Sequence, residues 1–282
     1  MIQLSREIRF ALAPKSEVKT SHVTNSWAGW PTTNLIVPRL RLQLILSGEP
    51  DPITGYLCNI KIVDDLLREI VMQRLIPDFH PMQTAEQLIQ IVAQEVESSW
   101  NVDAQLDSVL LHLSPQLRFR INFAPSSSQT QPGAMTTTQE SSNTDVRPDI
   151  IVTEQFEFSA AHRLHCESLD EERNRELFGK CNNPEGHGHN YVVEVSVAGR
   201  VESELGQVIP LHEFEMIVKK FVIDRLDHKH LNRDVEYFKD VNPSVENIAV
   251  AIYRWLDGQF GNARLASVKV FETPKTWAEF HG

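Results

Sequence analysis

Residues 179–191 read Gly-Lys-Cys-Asn-Asn-Pro-Glu-Gly-His-Gly-His-Asn-Tyr. This run supplies a thiol, Cys181, and two imidazoles, His187 and His189, in His-x-His spacing. Strand-forming sequence follows at once in Tyr191-Val-Val-Glu-Val-Ser-Val197. A strand starting near His187 puts both rings on one face, because side chains alternate with period two. Neutral imidazole is the commonest metal ligand, and two on one face need only one or two more partners. The competing reading is a pair of surface histidines in a glycine-rich turn.

Working outward, the next strand supplies a third ligand. Gln155-Phe-Glu-Phe-Ser-Ala-Ala161 alternates like a half-buried strand and ends at His162. His165 and Cys166 are rivals, but they fall where a charged loop, 164–186, has begun. Three histidines would leave the fourth position of a tetrahedral Zn²⁺ open, which suits a catalytic ion. A structural ion would instead need Cys181 or Cys166 as its fourth ligand.

The rest of this half alternates between helix and strand. Leu211, Phe214, Ile217, Val218, Phe221, Val222 and Leu226 form one helical stripe over 211–226. A second helix is expected to start at Asn242-Pro243, and a closing strand covers 266–272. Between the helices, Leu226-Asp-His-Lys-His-Leu-Asn232 offers the pair Asp227 and His228. A carboxylate beside an imidazole fixes its tautomer, and if His228 meets Cys181 the thiol becomes a proton-abstracting thiolate. Otherwise both simply finish a helix. Glu272, near the end of the last strand, is an exposed strand end or the acceptor for a planar NH/NH₂ edge. Glu246 lies in a first helical turn, where the helix dipole favours it whatever its role. His212 and His230 read as surface residues.

Residues 125–149 are polar without apolar period and read as a flexible linker. They separate 1–124 from 150–282. The first segment repeats the order of the second: a strand at 39–46, a helix at 60–75, another at 81–100 with Glu86 placed like Glu246, and a strand at 109–115. This reads as an internal duplication. With Asn34 set against Asn190, Pro31 and Thr33 replace His187 and His189. Pro14 falls opposite His162, Ile76-Pro77 opposite Asp227-His228, and Leu113 opposite Glu272. The first copy keeps the apolar pattern and loses every reactive group.

Composition sets the outer limits. A net charge of −11 argues against a nucleic-acid binder, and eight of the eleven histidines lie in 150–282. No apolar run approaches the ~20 residues that span a bilayer, and the first residues lack a signal-peptide core. Three cysteines are too few for a disulfide framework, so a reducing cytoplasm is expected.

Five motifs now stand in order: Phe158-Ser-Ala-Ala-His-Arg-Leu164, Leu177 through Tyr191, Leu226 through Asn232, Pro243-Ser-Val-Glu-Asn247 and Val270-Phe-Glu-Thr273. With them, residues 154–282 resemble the 6-pyruvoyl-tetrahydropterin synthase family. The resemblance implies an α+β chain of two tandem tunnelling-fold (T-fold) modules, each an antiparallel four-stranded sheet with two helices packed on one face. The first, 1–124, would be degenerate, and 150–282 catalytic. It implies a zinc lyase with His162, His187 and His189 as ligands, Cys181 as base, and Asp227 and His228 as relay. Glu272 would anchor a pterin ring, with Ser244 and Glu246 nearby.

The implied reaction converts 7,8-dihydroneopterin triphosphate to 6-pyruvoyl-tetrahydropterin and triphosphate. A relative, 6-carboxytetrahydropterin synthase, uses the same substrate on the way to queuosine-type bases but splits off acetaldehyde. Its cysteine stands closer to His-Gly-His, whereas here Asn182–Gly186 intervenes. Two other readings stay open, a non-catalytic pterin- or metal-binding protein and a zinc ion that only staples the fold. Lys180, Arg163, Arg173 and Arg175 are the local cations for the triphosphate. A homo-oligomer is expected, three tandem chains with active sites at subunit interfaces, and no membrane or nucleic-acid partner.

Overall fold

The computed structural model of the chain describes residues 1–13, 30, 35–80, 82–124, 148–201 and 206–282. They form two compact units, Met1–Ile150 with Arg200–Gln207, and Ile151–Gly199 with Val208–Gly282. Most of the expected linker, 125–147, lies outside the described residues, as do Pro14, Pro31, Thr33, Asn34 and Pro81.

In the first unit, β1 (Ile2–Ala11), β2 (Arg39–Gly48), β3 (Gln105–His112) and β4 (Leu117–Asn122) pair in that order, antiparallel throughout. Period-two alternation decides which face is buried. Leu40, Leu42, Leu44 and Leu46 of β2 are all buried, while the residues opposite in phase carry Arg41 and Gln43. Cross-strand register lines up Ile8, Leu42, Leu111 and Phe119 as one buried row. Each such side chain contributes about 1.5–3 kcal/mol by leaving water.

Two helices cover that face. The first, α1 (Ile60–Ile70), continues through a π-helical segment, Val71–Leu75, and buries Val63, Leu67 and Ile70. The second, α2 (Ala85–Ser99), starts later than the expected 81. Thr84 forms a capping box with Gln87 there, and that satisfies the first free amides.

In the second unit the principal strands are β5 (Ile150–His162), β6 (His187–Gly199), β8 (Arg264–Thr273) and β9 (Thr276–Phe280), in that order. A two-residue strand, β7 (Lys229–His230), runs parallel to β5 at Ala160 and Ala161. Between β5 and β6 the structure has α3 (Glu171–Phe178) and a 3₁₀ turn (Gly179–Asn182) where a loop was expected. The expected helix 211–226 is α4 (Leu211–Val218), a π-helical segment (Lys219–Ile223) and the short α5 (Asp224–Leu226). A turn of helix, α6 (Leu231–Asp234), follows β7.

The helix expected from Asn242-Pro243 is α7 (Val245–Leu256), capped by Ser244, whose hydroxyl accepts from the Asn247 amide. The reason for the shift is visible. Asn242 Oδ1 accepts from the His165 amide, and the Pro243 carbonyl accepts from His162. Both groups are engaged outside the helix. Among the described residues no helix is long and apolar enough to cross a membrane.

Candidate active site

Three strands of the second unit supply the site. On β6, His187, His189 and Tyr191 share one face by alternation, and His162 ends β5 on the same side, fully buried. Glu272 of β8 lies one step past the Val192–Phe271 pair, which brings it opposite Tyr191. One ligand atom from each of His162, His187 and His189 falls within 4.8 Å of the others. His162 Nε2 and His187 Nε2 are 3.2 Å apart. Two nitrogens on one tetrahedral zinc ion, each roughly 2.0–2.1 Å from the metal, stand roughly 3.3 Å apart. The His165 and Cys166 alternatives fall away, since His165 Nδ1 meets Arg163 and Asn182, and Cys166 meets Ser168.

The chemistry of the donors fits a metal ion. His162 donates from Nδ1 to the Pro243 carbonyl at 2.8 Å, which leaves Nε2 as a lone pair turned into the cluster. Burial pushes His162 down to about 4, against that carbonyl and with the neighbouring imidazoles adding to the shift. His187 is also pushed down, by burial and then by His189. Both rings are therefore neutral near pH 7, the ligating form. His187 Nδ1 and His189 Nε2 are buried without a hydrogen-bond partner. Glu272 Oε1 lies 3.4 Å from His162 Nε2 and 3.5 Å from His189 Nε2, within ion-pair reach.

Cys181 sits in the 3₁₀ turn, half-buried, its carbonyl accepting from the Leu164 amide at 2.8 Å. Burial raises the thiol pKa, and the charge of Glu272 raises it further. Tyr191 stands beside the same group. Its hydroxyl is buried without a partner, and burial with Glu272 and Cys181 holds its proton on.

The Asp227–His228 pair forms as expected, with Asp227 Oδ2 2.8 Å from His228 Nδ1. Asp227 also accepts from the Ser159 amide at 2.9 Å, and this bond and His228 lower its pKa. The pair does not meet Cys181 within the chain. His228 has a left-handed backbone (φ 56°) and an 83 % exposed side chain. It lines a cavity of about 660 Å³ with Ser159, Ala160 and Ala161 of β5 and Gly188, His189 and Asn190 of β6. Both phases of the two strands contribute, so the cavity wraps the strand ends beside His189, and among the described residues neither Asp227 nor His228 bonds to Cys181.

Two more expected residues lie at the start of α7. Ser244 caps the helix directly after Pro243, and Glu246 is exposed in its first turn. His212 is exposed as expected, but His230 is not a surface residue. Both its ring nitrogens are buried without partners, and Nε2 packs against Gly186. Only the pairing of β7 beside β5 turns it inward, and no local pattern signals that.

A sequence model described as 6-pyruvoyl tetrahydropterin synthase matches residues 151–282. The 6-pyruvoyl tetrahydrobiopterin synthase of Drosophila melanogaster is 41 % identical over 137 residues, 48 % of this chain and 82 % of the relative. That of Homo sapiens is 42 % identical over 131 residues, 46 % of this chain and 90 % of the relative. The solved structure of the Caenorhabditis elegans 6-pyruvoyl tetrahydropterin synthase is 38 % identical with a TM-score of 0.45, covering 48 % of this chain and 96 % of that one. The matched residues 151–282 include all three histidines, and on the identity and coverage of the Drosophila melanogaster and Homo sapiens relatives the chain belongs to the 6-pyruvoyl tetrahydropterin synthase family.

Proposed function

We propose that the chain is a zinc-dependent lyase converting 7,8-dihydroneopterin triphosphate to 6-pyruvoyl-tetrahydropterin and triphosphate. The observation that carries this is the meeting of three imidazoles with a carboxylate on one face of β5, β6 and β8, with the Cys181 thiol near enough to feel the charge of that carboxylate. His162, His187 and His189 would hold the ion, which supplies Lewis acidity toward the hydroxyls of the substrate side chain. Glu272 accepts the NH/NH₂ edge of the pterin ring, a fork that suits one carboxylate. Ser244 and Glu246 border the ring from the start of α7. Cys181 Sγ takes the proton from the side-chain carbon, the ring double bond shifts, and triphosphate leaves.

A thiol whose pKa burial has raised needs help to lose its proton. Asp227 and His228 are suited to give it, but among the described residues neither bonds to Cys181 of its own chain: Asp227 is engaged by the Ser159 amide and by His228. We therefore assign them to the thiol of another copy, in a homo-oligomer with its sites at subunit interfaces. Three tandem chains would complete the ring.

The first unit reads as a degenerate copy of the second. Both carry a π-helical segment in the first long helix, at Val71–Leu75 and Lys219–Ile223. Both break register between a long strand and its neighbour, β2 with β3 at Ile45/Leu46 and β6 with β8 at Ser196/Val197. Matching the two bulges sets Ile36 and Pro38 against His187 and His189, a different register from the one Asn34 suggests, and again without a ligand.

Asn182–Gly186 between the cysteine and His187 favours the pyruvoyl product over the carboxy product. Mass analysis of the product decides: a three-carbon diketo side chain supports this reading, and a carboxylate with acetaldehyde replaces it with the other. Binding of the pterin without turnover by the zinc-loaded protein would leave only a pterin-binding module.

A further inference from the structure

Three cations of the second unit surround one cavity with no carboxylate paired to them. The cavity, about 850 Å³, is walled by Arg163, Arg175, Lys180 and His165 and by the turn from Asn182 to Pro184. Arg163 is half-buried and bonds only neutral groups. Its Nε donates to the Asn182 carbonyl at 3.3 Å, and Nη2 lies 3.2 Å from His165 Nδ1. Arg175 and Lys180 are exposed, and among the described residues neither forms an ion pair.

Arg173 does not belong to the group. It pairs with Glu176 at 2.5 Å and does not line the cavity. Two acids stand on the rim, Asp170 and Glu171. Asp170 is engaged at the start of α3, where its Oδ1 accepts from the Arg173 amide at 2.7 Å.

The walls are fixed to the residues described above. Arg163 directly follows His162, and its amide donates to Asn232 Oδ1 at 2.8 Å. Lys180 directly precedes Cys181, and the Leu164 amide holds the Cys181 carbonyl. The cavity thus begins one residue from a metal-ligand candidate and one residue from the thiol. In a chain of net charge −11, unpaired cations gathered around a concavity favour an anion there. A guanidinium offers a planar fork to phosphate oxygens, and an ammonium adds a point charge.

We infer that this cavity is an oligophosphate subsite, formed by Arg163, Arg175 and Lys180, that takes the phosphate chain of the substrate. The identity of that substrate rests on the function proposed above; the anion site does not. Arg175 and Lys180 are the residues to change, since removing exposed side chains without partners leaves the fold intact.

The test titrates inorganic triphosphate into the full-length, zinc-loaded protein by calorimetry at low salt. The R175Q/K180Q double variant is expected to raise Kd about tenfold or more, and R173Q to leave it unchanged. The double variant should also raise KM for 7,8-dihydroneopterin triphosphate with kcat within about twofold. Absent binding to the wild type, an unchanged Kd in the double variant, or an equal loss in R173Q would each overturn the subsite. Triphosphate bound through these residues, without consumption of the pterin, would sink the proposed reaction and leave the subsite standing. Turnover with an unchanged KM in the double variant would do the reverse.

Discussion

The carbonyl of Pro243 accepts the Nδ1 proton of His162 at 2.8 Å, so the residue leading into α7 aims a ring on β5. A buried imidazole held this way can offer a metal only Nε2, and such outer partners set ligand orientation and basicity.

Removing any one of His162, His187 or His189 as alanine should therefore lower bound zinc from one ion per chain to a tenth or less, read by elemental analysis after gel filtration. His162→Ala should also destabilise by about 2–3 kcal/mol, because it empties a fully buried position and strands a carbonyl. His187→Ala, at a partly exposed position, should cost little stability. Full zinc occupancy in all three variants would remove the centre.

Cys181→Ala should keep zinc content and melting temperature and lose about 10²–10⁴-fold in kcat, the usual range for a positioned acid–base group. Turnover within a few fold of wild type would show that another group takes the proton.

Gly186 has φ 75°, and a Cβ there would come within 2.8 Å of both the His162 carbonyl and His230 Nε2. Gly186→Ala should destabilise by about 2 kcal/mol or more through backbone strain and contact. It should also weaken zinc, since the turn leads straight into His187. Chemical denaturation and a competitive zinc indicator read the two effects separately; a neutral variant would mean that the turn relaxes freely.

Glu154, on the helix side of β5, is pushed up to about 7 by burial and then by the charge of Glu215. Its folded pKa lies above the ordinary value of 4.5. The folded state therefore holds the proton more tightly than the unfolded chain. That contribution is complete below about pH 4.5 and fades as pH rises through about 7. Melting temperatures at pH 5 and pH 8 should differ less in Glu154→Gln than in wild type. Equal differences would show that this carboxyl does not set the slope.

Much of the site was legible because period two is a local rule. It places His187 and His189 together and His162 at the end of its strand, and the structure agrees. Glu272 was visible as a carboxylate, but its place against the imidazoles depends on the register of β6 and β8. The helix α3 was missed because Glu171–Phe178 carries no apolar stripe; its one buried residue is Asn174. That asparagine holds the loop by donating to the Cys166, Leu169 and Asp170 carbonyls. Only Asp170, as a capping residue, hinted at it. The π-helical segments stayed hidden because the apolar stripes run through them. The placing of His228 was beyond any local pattern, because the docking of Asp227 onto the Ser159 amide sets it.

That docking has a consequence for how the protein behaves when it is scarce. On the function proposed above, a thiol that draws its proton acceptor from another copy would leave a solitary chain idle. Specific activity should then fall on dilution faster than the amount of protein does. A cell that halves its supply would lose more than half of its catalyst.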